Sequence, residues 1–304
     1  IFALATPSGK SAIAVIRISG TDSFNVVNKI SKNMPITPNK ATFNNIELSG
    51  NNKIDQTITT YFRAPKSYTG EDMVEISIHG GSAVIKKTLK ALGNNKNTRI
   101  AEPGEFTRRA FENNKLDLTQ VEAIADLVNS ETEAQRKQAI RQLGGQLTKK
   151  TKEFSDKILK TLADAEAIID FSDEELPKNL IKNIKEQIEN IIIEIRNFIE
   201  EGSIGEKIRS GFVIAITGKP NTGKSSFVNK IAKRDIAIVT DEPGTTRDVL
   251  ELFVDYKGIP IKFYDTAGLR KFKNKAEEIG IKKAQNISNI ADINLVFIEN
   301  IDEL

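Results

Sequence analysis

The stretch Gly218-Lys219-Pro220-Asn221-Thr222-Gly223-Lys224-Ser225 decides how the last third of this chain folds. It has the form G-x-x-x-x-G-K-[ST], follows the apolar run Phe212–Thr217 and opens a helix-forming segment. The glycines of such a loop let backbone N–H groups surround a phosphate, while its lysine reaches the phosphate oxygens and its serine hydroxyl can bind Mg²⁺. The following helix aims its N-terminus at the same anion. The sequence therefore predicts a phosphate-binding loop between a buried strand and a helix.

Two further motifs follow this loop in the order expected of a nucleotide switch. Gly244-Thr245-Thr246-Arg247-Asp248 lies in a polar segment, where a threonine can complete the shell of Mg²⁺ and sense the γ-phosphate. Asp265-Thr266-Ala267-Gly268 follows the apolar run Ile261–Tyr264, so that its aspartate can hold Mg²⁺ through water. Each motif alone is compatible with an ordinary turn. The three together predict a GTPase-type site with two loops that respond to the γ-phosphate.

The strand pattern around these motifs is that of an α/β nucleotide-binding domain over residues 209–304. Val249–Asp255 and Ile259–Tyr264 read as a hairpin around Lys257-Gly258, and Ile293–Ile298 reads as a further strand. Only 94 residues run from Gly211 to Leu304, and the N-K-x-D motif that selects guanine is not found. We therefore expect this domain to be incomplete, with guanine selectivity and catalytic competence left open by the sequence.

Residues 107–208 have helical periodicity and predict a helical bundle, also incomplete. Apolar residues recur every three or four positions in three successive stretches. Gly202 and Gly205 predict a hinge into the next domain, and the charged faces predict solvated helix surfaces. The apolar positions are Leu118, Val121, Ile124, Ala125, Val128; Phe154, Ile158, Leu162, Ala165, Ile169; and Ile181, Ile184, Ile188, Ile191, Ile192, Ile195, Ile199.

Residues 1–106 predict an N-terminal α+β domain. Strands are expected at Ala12–Ile18, Thr57–Phe62 and Met73–Ile78, and a helix from Ser82 to Leu92, whereas residues 40–50 are a loop or a weak strand. Arg17 and Glu75 each lie within an apolar strand. Such charges are either paired or serve a ligand, or they face water from an edge strand. His79 is expected to be a structural or hydrogen-bonding residue rather than a base.

Composition excludes several kinds of site. The chain has no cysteine and one histidine, which rules out disulfides, thiolate metal centres and multi-histidine metal centres. The net charge of +3 neither demands nor excludes nucleic acid, because a local basic patch can bind phosphate without a high total. No apolar run reaches the roughly 18 residues of a membrane span. We expect a cytoplasmic protein with no membrane association.

The motifs resemble those of the tRNA-modification GTPases within the TrmE–Era–EngA-like family. The likeness runs from residue 1 to about 300, across all three predicted domains and in the family's order. The segments that carry it, besides the phosphate loop and Asp265–Gly268, are Ala5–Pro7, Val15–Gly20, Tyr68–Asp72, His79–Gly81, Pro103–Thr107, Asn114–Leu118, Ala237–Asp248 and Glu277–Ile281.

The resemblance implies a potassium-activated GTPase in which two G domains pair. Mg²⁺ would be bound by Ser225 and Thr246, and K⁺ by Asn221, Thr240, Glu242 and Thr245. Leu269 stands where Ras-like proteins place a glutamine, and Glu277 matches the family's water-orienting glutamate. The positions implied to contact GTP are Asn221, Thr222, Gly223, Lys224, Ser225, Ser226, Thr240, Asp241, Glu242, Pro243, Gly244, Thr245, Thr246, Asp265, Thr266, Ala267 and Gly268.

The N-terminal part is similar to the family's folate-binding domain. Arg17, Glu75 and Lys115 match its contacts with 5-formyl-tetrahydrofolate. The implied reaction is carboxymethylaminomethylation of the tRNA wobble uridine. The implied assembly is a homodimer joined by a flavin-dependent MnmG-like FAD protein in a heterotetramer. No dinucleotide fingerprint is found in this chain, so the redox chemistry is expected from that partner.

Two other functions remain open from the sequence. An Era-like GTPase of ribosome assembly shares the loop motifs but predicts an RNA-binding module in place of a folate-like domain. A catalytically inert folate-binding and dimerisation module predicts folate binding without GTP turnover.

Overall fold

A five-stranded sheet lies in each of the two units into which the chain divides, Ile1–Val121 and Glu122–Leu304. The computed structural model describes residues 1–34, 37–48, 52–170, 179–219, 222–232, 237–238, 250–265 and 287–300. The predicted domain boundaries after residues 106 and 208 stay predictions. The strands are β1 (Phe2–Leu4), β2 (Ser11–Ser19), β3 (Thr42–Leu48), β4 (Asn52–Phe62), β5 (Met73–Gly80), β6 (Phe212–Gly218), β7 (Ala237–Ile238), β8 (Leu250–Tyr256), β9 (Ile259–Asp265) and β10 (Ile293–Phe297). The helices are α1 (Ser23–Asn28), α2 (Ser82–Gly93), α3 (Glu105–Glu112), α4 (Leu118–Val128), α5 (Glu133–Leu143), α6 (Gln146–Asp170), α7 (Leu180–Ser210) and α8 (Lys224–Ala232).

The first sheet is antiparallel, with strand order β1-β2-β5-β4-β3. Side chains alternate along its strands, so that Ile16 and Ile18 of β2 and Val74 and Ile76 of β5 are fully buried on one face. The helices α1 and α2 pack against this sheet, and α2 adds Leu92 to the same core. The opposite face is left for the polar residues that alternate with the core.

Two expectations for this unit are settled by the pairing. The polar stretch left open as a loop or a weak strand forms the edge strand β3, which pairs with β4 over its whole length. β2 and β5 are inner strands, so Arg17 and Glu75 do not face water from a sheet edge. They are direct cross-strand neighbours, and the paired alternative is confirmed.

The second sheet has strand order β10-β6-β9-β8-β7, in which β10, β6 and β9 are parallel. The predicted hairpin is confirmed, since β8 and β9 pair antiparallel on either side of Lys257-Gly258. Helix α8 packs on this sheet through Phe227, whose ring contacts those of Phe263 and Phe297 at 6.2 and 5.4 Å between centroids. This arrangement places the carboxyl ends of three parallel strands at one edge.

The helices of the second unit include one correction. Gly202 and Gly205 were expected to form a hinge, but α7 continues through both to Ser210. Gly205 instead lies at a contact with α5, because its carbonyl oxygen accepts a 2.8 Å hydrogen bond from the side-chain amide of Gln138. Although α6 and α7 have 25 and 31 residues, no described helix is long and apolar enough to cross a membrane.

Candidate functional site

The phosphate-binding loop leaves the sheet at Gly218, the last residue of β6, and enters α8 at Lys224. Gly218 has φ +135°, and a Cβ at this position would collide with the carbonyl oxygen of Phe297 on β10. Gly223 has φ +93°, a conformation that residues with a side chain rarely adopt. Both glycines of the motif are therefore required by the backbone path, and the strand–loop–helix order follows the prediction.

Lys224 is the most informative side chain of this loop. It is only 4% exposed, although it carries a positive charge. Its ammonium group donates to the carbonyl oxygen of Lys219 and, over 3.2 Å, to the hydroxyl of Thr222. No ion pair to Lys224 is found among the described residues. A buried ammonium with only neutral oxygen partners is costly, and an anion in the loop would supply the missing charge.

The neighbouring strand brings a second motif to the same edge. β9 runs parallel to β6, and Asp265, its last residue, is paired with Ile216, two residues before Gly218. Because parallel strands expose their carboxyl ends together, the start of the Asp265–Gly268 motif lies beside the phosphate loop. Ser225 and Ser226 are exposed in the first turn of α8. A hydroxyl oxygen is the kind of ligand that Mg²⁺ accepts, so Ser225 is suited to the role assigned to it.

Several predicted site residues lie outside the described part of the chain. They comprise the potassium ligand on the phosphate loop, the second motif with its flanks, the rest of the third motif and the water-orienting glutamate. Their roles stay predictions; the residues are Asn221, Thr240, Asp241, Glu242, Pro243, Gly244, Thr245, Thr246, Thr266, Ala267, Gly268 and Glu277.

A second candidate site lies on the polar face of the first sheet. Arg17 and Glu75 form an ion pair with Nη2–Oε1 and Nε–Oε1 separations of 2.8 and 2.9 Å, and each side chain is 26% exposed. The guanidinium carbon lies 5.0 Å from the ring centre of Tyr68 and 5.5 Å from that of Phe106. Arg17 thus links a charge pair to two aromatic rings, a combination that can hold a flat, polar ring system by stacking and hydrogen bonds.

Lys115 approaches the same loop that carries Tyr68. Its ammonium group donates to the carbonyl oxygen of Pro65 over 3.1 Å, and its side chain packs beside Gly70. The loop is fixed further by Asn113, whose amide donates to the carbonyl oxygen of Thr69 over 2.7 Å. The structure thus brings Arg17 and Glu75 into direct contact and links Lys115 to them through one loop.

A carboxylate network supports this face from α3. Arg109 donates to Glu71 over 3.0 Å and to Glu105 over 3.0 Å, and Arg99 donates to Glu105 over 2.6 Å. Glu105 is 2% exposed, and its pKa is lowered to about 2, mainly by the hydrogen bonds from Arg99. Ser19 extends the network by donating to Glu71 over 2.8 Å. Every carboxylate of this network has a cationic partner.

Tyr68 and Phe106 are functional candidates that sequence reasoning missed. Both lie in segments that carry the family resemblance, Tyr68–Asp72 and Pro103–Thr107, but no role was assigned to either ring. Only the fold reveals that the two segments converge on Arg17. The sequence feature that could have identified them is the presence of an aromatic residue in each of these two motif segments. The hydroxyl of Tyr68 also lies 2.8 Å from that of Thr107, which fixes the ring's orientation.

Two family models match the chain, one after the other. The model described as the N-terminus of the GTP-binding protein TrmE matches residues 1–115. The model described as the MnmE helical domain matches residues 118–301, more than half of the chain. The first covers the Arg17 site, and the second spans the described helices of the second unit together with the phosphate loop.

Curated relatives are similar over almost the whole chain. A tRNA modification GTPase MnmE of Parvibaculum lavamentivorans is 45% identical over 301 residues, which are 98% of this chain and 68% of that protein. The protein of the same name from Roseobacter denitrificans is 43% identical over 303 residues, covering 100% of this chain and 70% of the relative. The one from Ehrlichia chaffeensis is 46% identical over 298 residues, covering 98% and 67% respectively.

Proposed function

Because the chain belongs to the MnmE family of tRNA modification GTPases, we propose that it binds and hydrolyses GTP in the course of modifying tRNA. The observation that carries this proposal is the buried ammonium group of Lys224, whose only described partners are neutral oxygens. A nucleoside triphosphate supplies an anionic partner for this ammonium group. The carboxyl edge of β6 and β9 provides the place for it.

The roles of the loop residues follow from their positions. Lys224 leaves its two oxygen partners and donates to the β- and γ-phosphates, which places its charge where negative charge develops. Backbone N–H groups at Gly223 and at the start of α8 add to this cradle. Mg²⁺ would be held by Ser225 and Thr246, and when bound it neutralises phosphate charge. Thr222 is freed from Lys224 at the same time and can turn toward the nucleotide.

Potassium and a glutamate complete the proposed hydrolytic site. Asn221, Thr240, Glu242 and Thr245 would hold K⁺, whose charge does the work that an arginine does in other GTPases. Glu277 would orient the attacking water, since Leu269 stands at the position of the Ras-like glutamine and cannot. Asp265 begins the third motif. The loop of that motif would contact the γ-phosphate and would lose this contact after hydrolysis.

The first unit is proposed to bind 5-formyl-tetrahydrofolate as the one-carbon donor. The rings of Tyr68 and Phe106 offer stacking surfaces, and Glu75 can accept hydrogen bonds from the amino groups of a pterin. Arg17 and Lys115 can donate to its carbonyl or carboxylate oxygens. A charge pair that already exists in the free protein makes this site preorganised, which lowers the cost of binding.

The remaining parts of the proposal concern the assembly. We assign the chain to the formation of a carboxymethylaminomethyl group at the wobble uridine, as a homodimer in a heterotetramer with an MnmG-like FAD protein in the cytoplasm. GTP hydrolysis then drives a conformational change, and the flavoprotein supplies the redox step.

The experiment that tests the proposal compares GTP hydrolysis in KCl and in NaCl, with Mg²⁺ present in both. We expect faster turnover in potassium and none in a Lys224→Met variant. Equal rates in the two salts would contradict the potassium site, and absence of GTP binding by the wild-type chain would contradict the proposal as a whole. Calorimetric titration with 5-formyl-tetrahydrofolate tests the first unit separately. Calorimetry is used because the chain contains no tryptophan whose fluorescence could report binding.

A further inference from the structure

Basic residues are concentrated in one short segment of the chain. Residues 136–152 contain six lysines and arginines and no aspartate or glutamate. The rest of the chain, with 38 basic and 41 acidic residues, has a net charge of −3, so this segment alone makes the protein positive overall. A charge asymmetry of this kind is the electrostatic footprint of a polyanion-binding surface. The six residues are Arg136, Lys137, Arg141, Lys149, Lys150 and Lys152.

The fold holds these charges together. The segment is the last two turns of α5, the connection Gly144-Gly145 and the first two turns of α6. At a rise of about 1.5 Å per residue, every one of the six Cα atoms lies within roughly 12 Å of the connection, whatever the angle between the helices. The six charges therefore lie close together in the fold, and we name the segment that carries them the α5–α6 basic surface.

The charges of this surface are accessible, and half of them are not neutralised. Arg141, Lys149 and Lys152 are exposed, and none of them forms an ion pair with the described residues. Arg136 and Lys137 share one carboxylate, that of Glu133. Lys150 pairs with Glu153 over 3.2 Å. A surface with this excess of exposed cations attracts closely spaced negative charges.

We infer that the α5–α6 basic surface binds the phosphate backbone of tRNA. The uncharged polar residues of the segment are Gln and Thr, whose side chains donate hydrogen bonds to phosphate and sugar oxygens. The segment has no aromatic residue, and aromatic anchors are what the centre of a protein–protein interface is enriched in. These features favour RNA over an acidic protein. The inference rests on the proposed function only in taking tRNA as the RNA concerned.

The test measures the binding of an unmodified tRNA transcript to the 304-residue chain by fluorescence anisotropy, at KCl concentrations from 0.05 to 0.3 M. The variant replaces Arg141, Lys149 and Lys152 together by glutamine. A matched variant removes the same charge from exposed lysines of the first unit, Lys29, Lys86 and Lys90. Each phosphate contact contributes about 0.7–0.9 to the slope of log K against log salt, so we expect the surface variant to lose about 2 from that slope. Its affinity near 0.1 M salt is expected to fall on the order of 100-fold, and that of the matched variant by only a fewfold.

The outcomes separate this inference from the proposed function. Equal losses in both variants, or no loss in either, would overturn the inference, as would a wild-type chain that does not bind tRNA. A variant that keeps its tRNA affinity but no longer binds polyglutamate would assign the surface to an acidic protein instead. GTP hydrolysis measured on the same preparations reports on the proposed function, and the surface variant is expected to keep the wild-type rate without tRNA.

Discussion

The two candidate sites differ in how their buried or half-buried cationic side chains are paired. At the site in the first unit, Arg17 is paired with Glu75, and Arg109 with Glu71 and Glu105, so the charges of these arginines are balanced before any ligand arrives. In the phosphate loop, Lys224 is more deeply buried than any of these arginines, and its partners among the described residues are neutral oxygens. The difference indicates what each site binds. A balanced site suits a ligand that is itself polar and partly aromatic, whereas an unbalanced buried cation requires an anion.

Removing the charge of Lys224 has the largest expected effect. Lys224→Met keeps the length of the side chain and loses its charge. We expect GTP binding to weaken by about 2–5 kcal/mol, roughly 30- to 5,000-fold in affinity, while the melting temperature of the free protein stays the same or rises. Titration with a fluorescent GTP analogue measures the first quantity and thermal unfolding the second.

The control for that variant is Lys230→Met, in the last turn of the same helix, where the lysine is exposed. It should change neither quantity. If Lys224→Met lowers the melting temperature of the free protein as well as the GTP affinity, the lysine is structural. Such a result would contradict the proposed difference between the two sites.

The balanced side of the comparison is tested at Arg17. Arg17→Met removes one half of a pair whose members are a quarter exposed. We expect the affinity for 5-formyl-tetrahydrofolate to fall roughly 10- to 100-fold, since a hydrogen bond to a charged group contributes about 1.5–3 kcal/mol. Calorimetric titration measures the change, with Arg63→Met, an exposed arginine in the same unit, as the control. Unchanged folate affinity in Arg17→Met would place the ligand elsewhere.

Glu105, a carboxylate with arginine partners, is expected to make the stability of the protein depend on pH. Its pKa in the folded protein is about 2, below the ordinary value of 4.5, because Arg99 and Arg109 donate to it. Its stabilisation is therefore complete above about pH 4.5 and is lost as the pH falls toward 2. We expect Glu105→Gln to lower the free energy of unfolding by about 2 kcal/mol at pH 7, with a difference from the wild type that shrinks below pH 4.5. Urea unfolding at pH 7, 4 and 3 checks this, and Glu102→Gln, at an exposed carboxylate, should show no such pH dependence.

The smallest expected effect concerns the ring beneath Arg17. Tyr68→Leu removes the aromatic face that lies 5.0 Å from the guanidinium, and a cation–π contact at a partly exposed site contributes about 0.5–1 kcal/mol. We expect a loss of folate affinity of about two- to fivefold, and recovery of most of it in Tyr68→Phe, which keeps the ring. If both variants lose affinity equally, the hydroxyl's contact with Thr107 is what matters instead of the ring.

Sequence patterns predicted the parts of this molecule that depend on local rules. The phosphate loop, the hairpin around Lys257-Gly258 and the buried strands follow from glycine positions and from the alternation or continuity of apolar residues. β3 remained undecided because a polar edge strand is stabilised by its pairing with β4 and not by its own composition. Gly205 was misjudged as a hinge because the contact of Gln138 with its carbonyl oxygen is tertiary and is not visible in the local sequence.

The candidate sites were predictable to different degrees for the same reason. Lys224 belongs to a contiguous motif, so its place at the loop was visible in the sequence, but its lack of a described anionic partner was not. Arg17, Tyr68 and Phe106 are far apart in the chain, and only the pairing of β2 with β5 and the position of α3 bring them together. Family resemblance identified Arg17 without giving the physical reason for its position.

The role of Lys224 is tested most directly by ligand-induced thermal shifts in the wild-type chain and in Lys224→Met, each with Mg²⁺–GTP and with 5-formyl-tetrahydrofolate. At a fixed ligand concentration, a ligand that binds only the folded state raises the melting temperature more the tighter it binds. We predict that GTP stabilises the wild type alone, whereas the folate stabilises both proteins equally. Equal stabilisation of both proteins by GTP would contradict the claim that the buried, unbalanced charge of Lys224 is the anion-binding element of this chain.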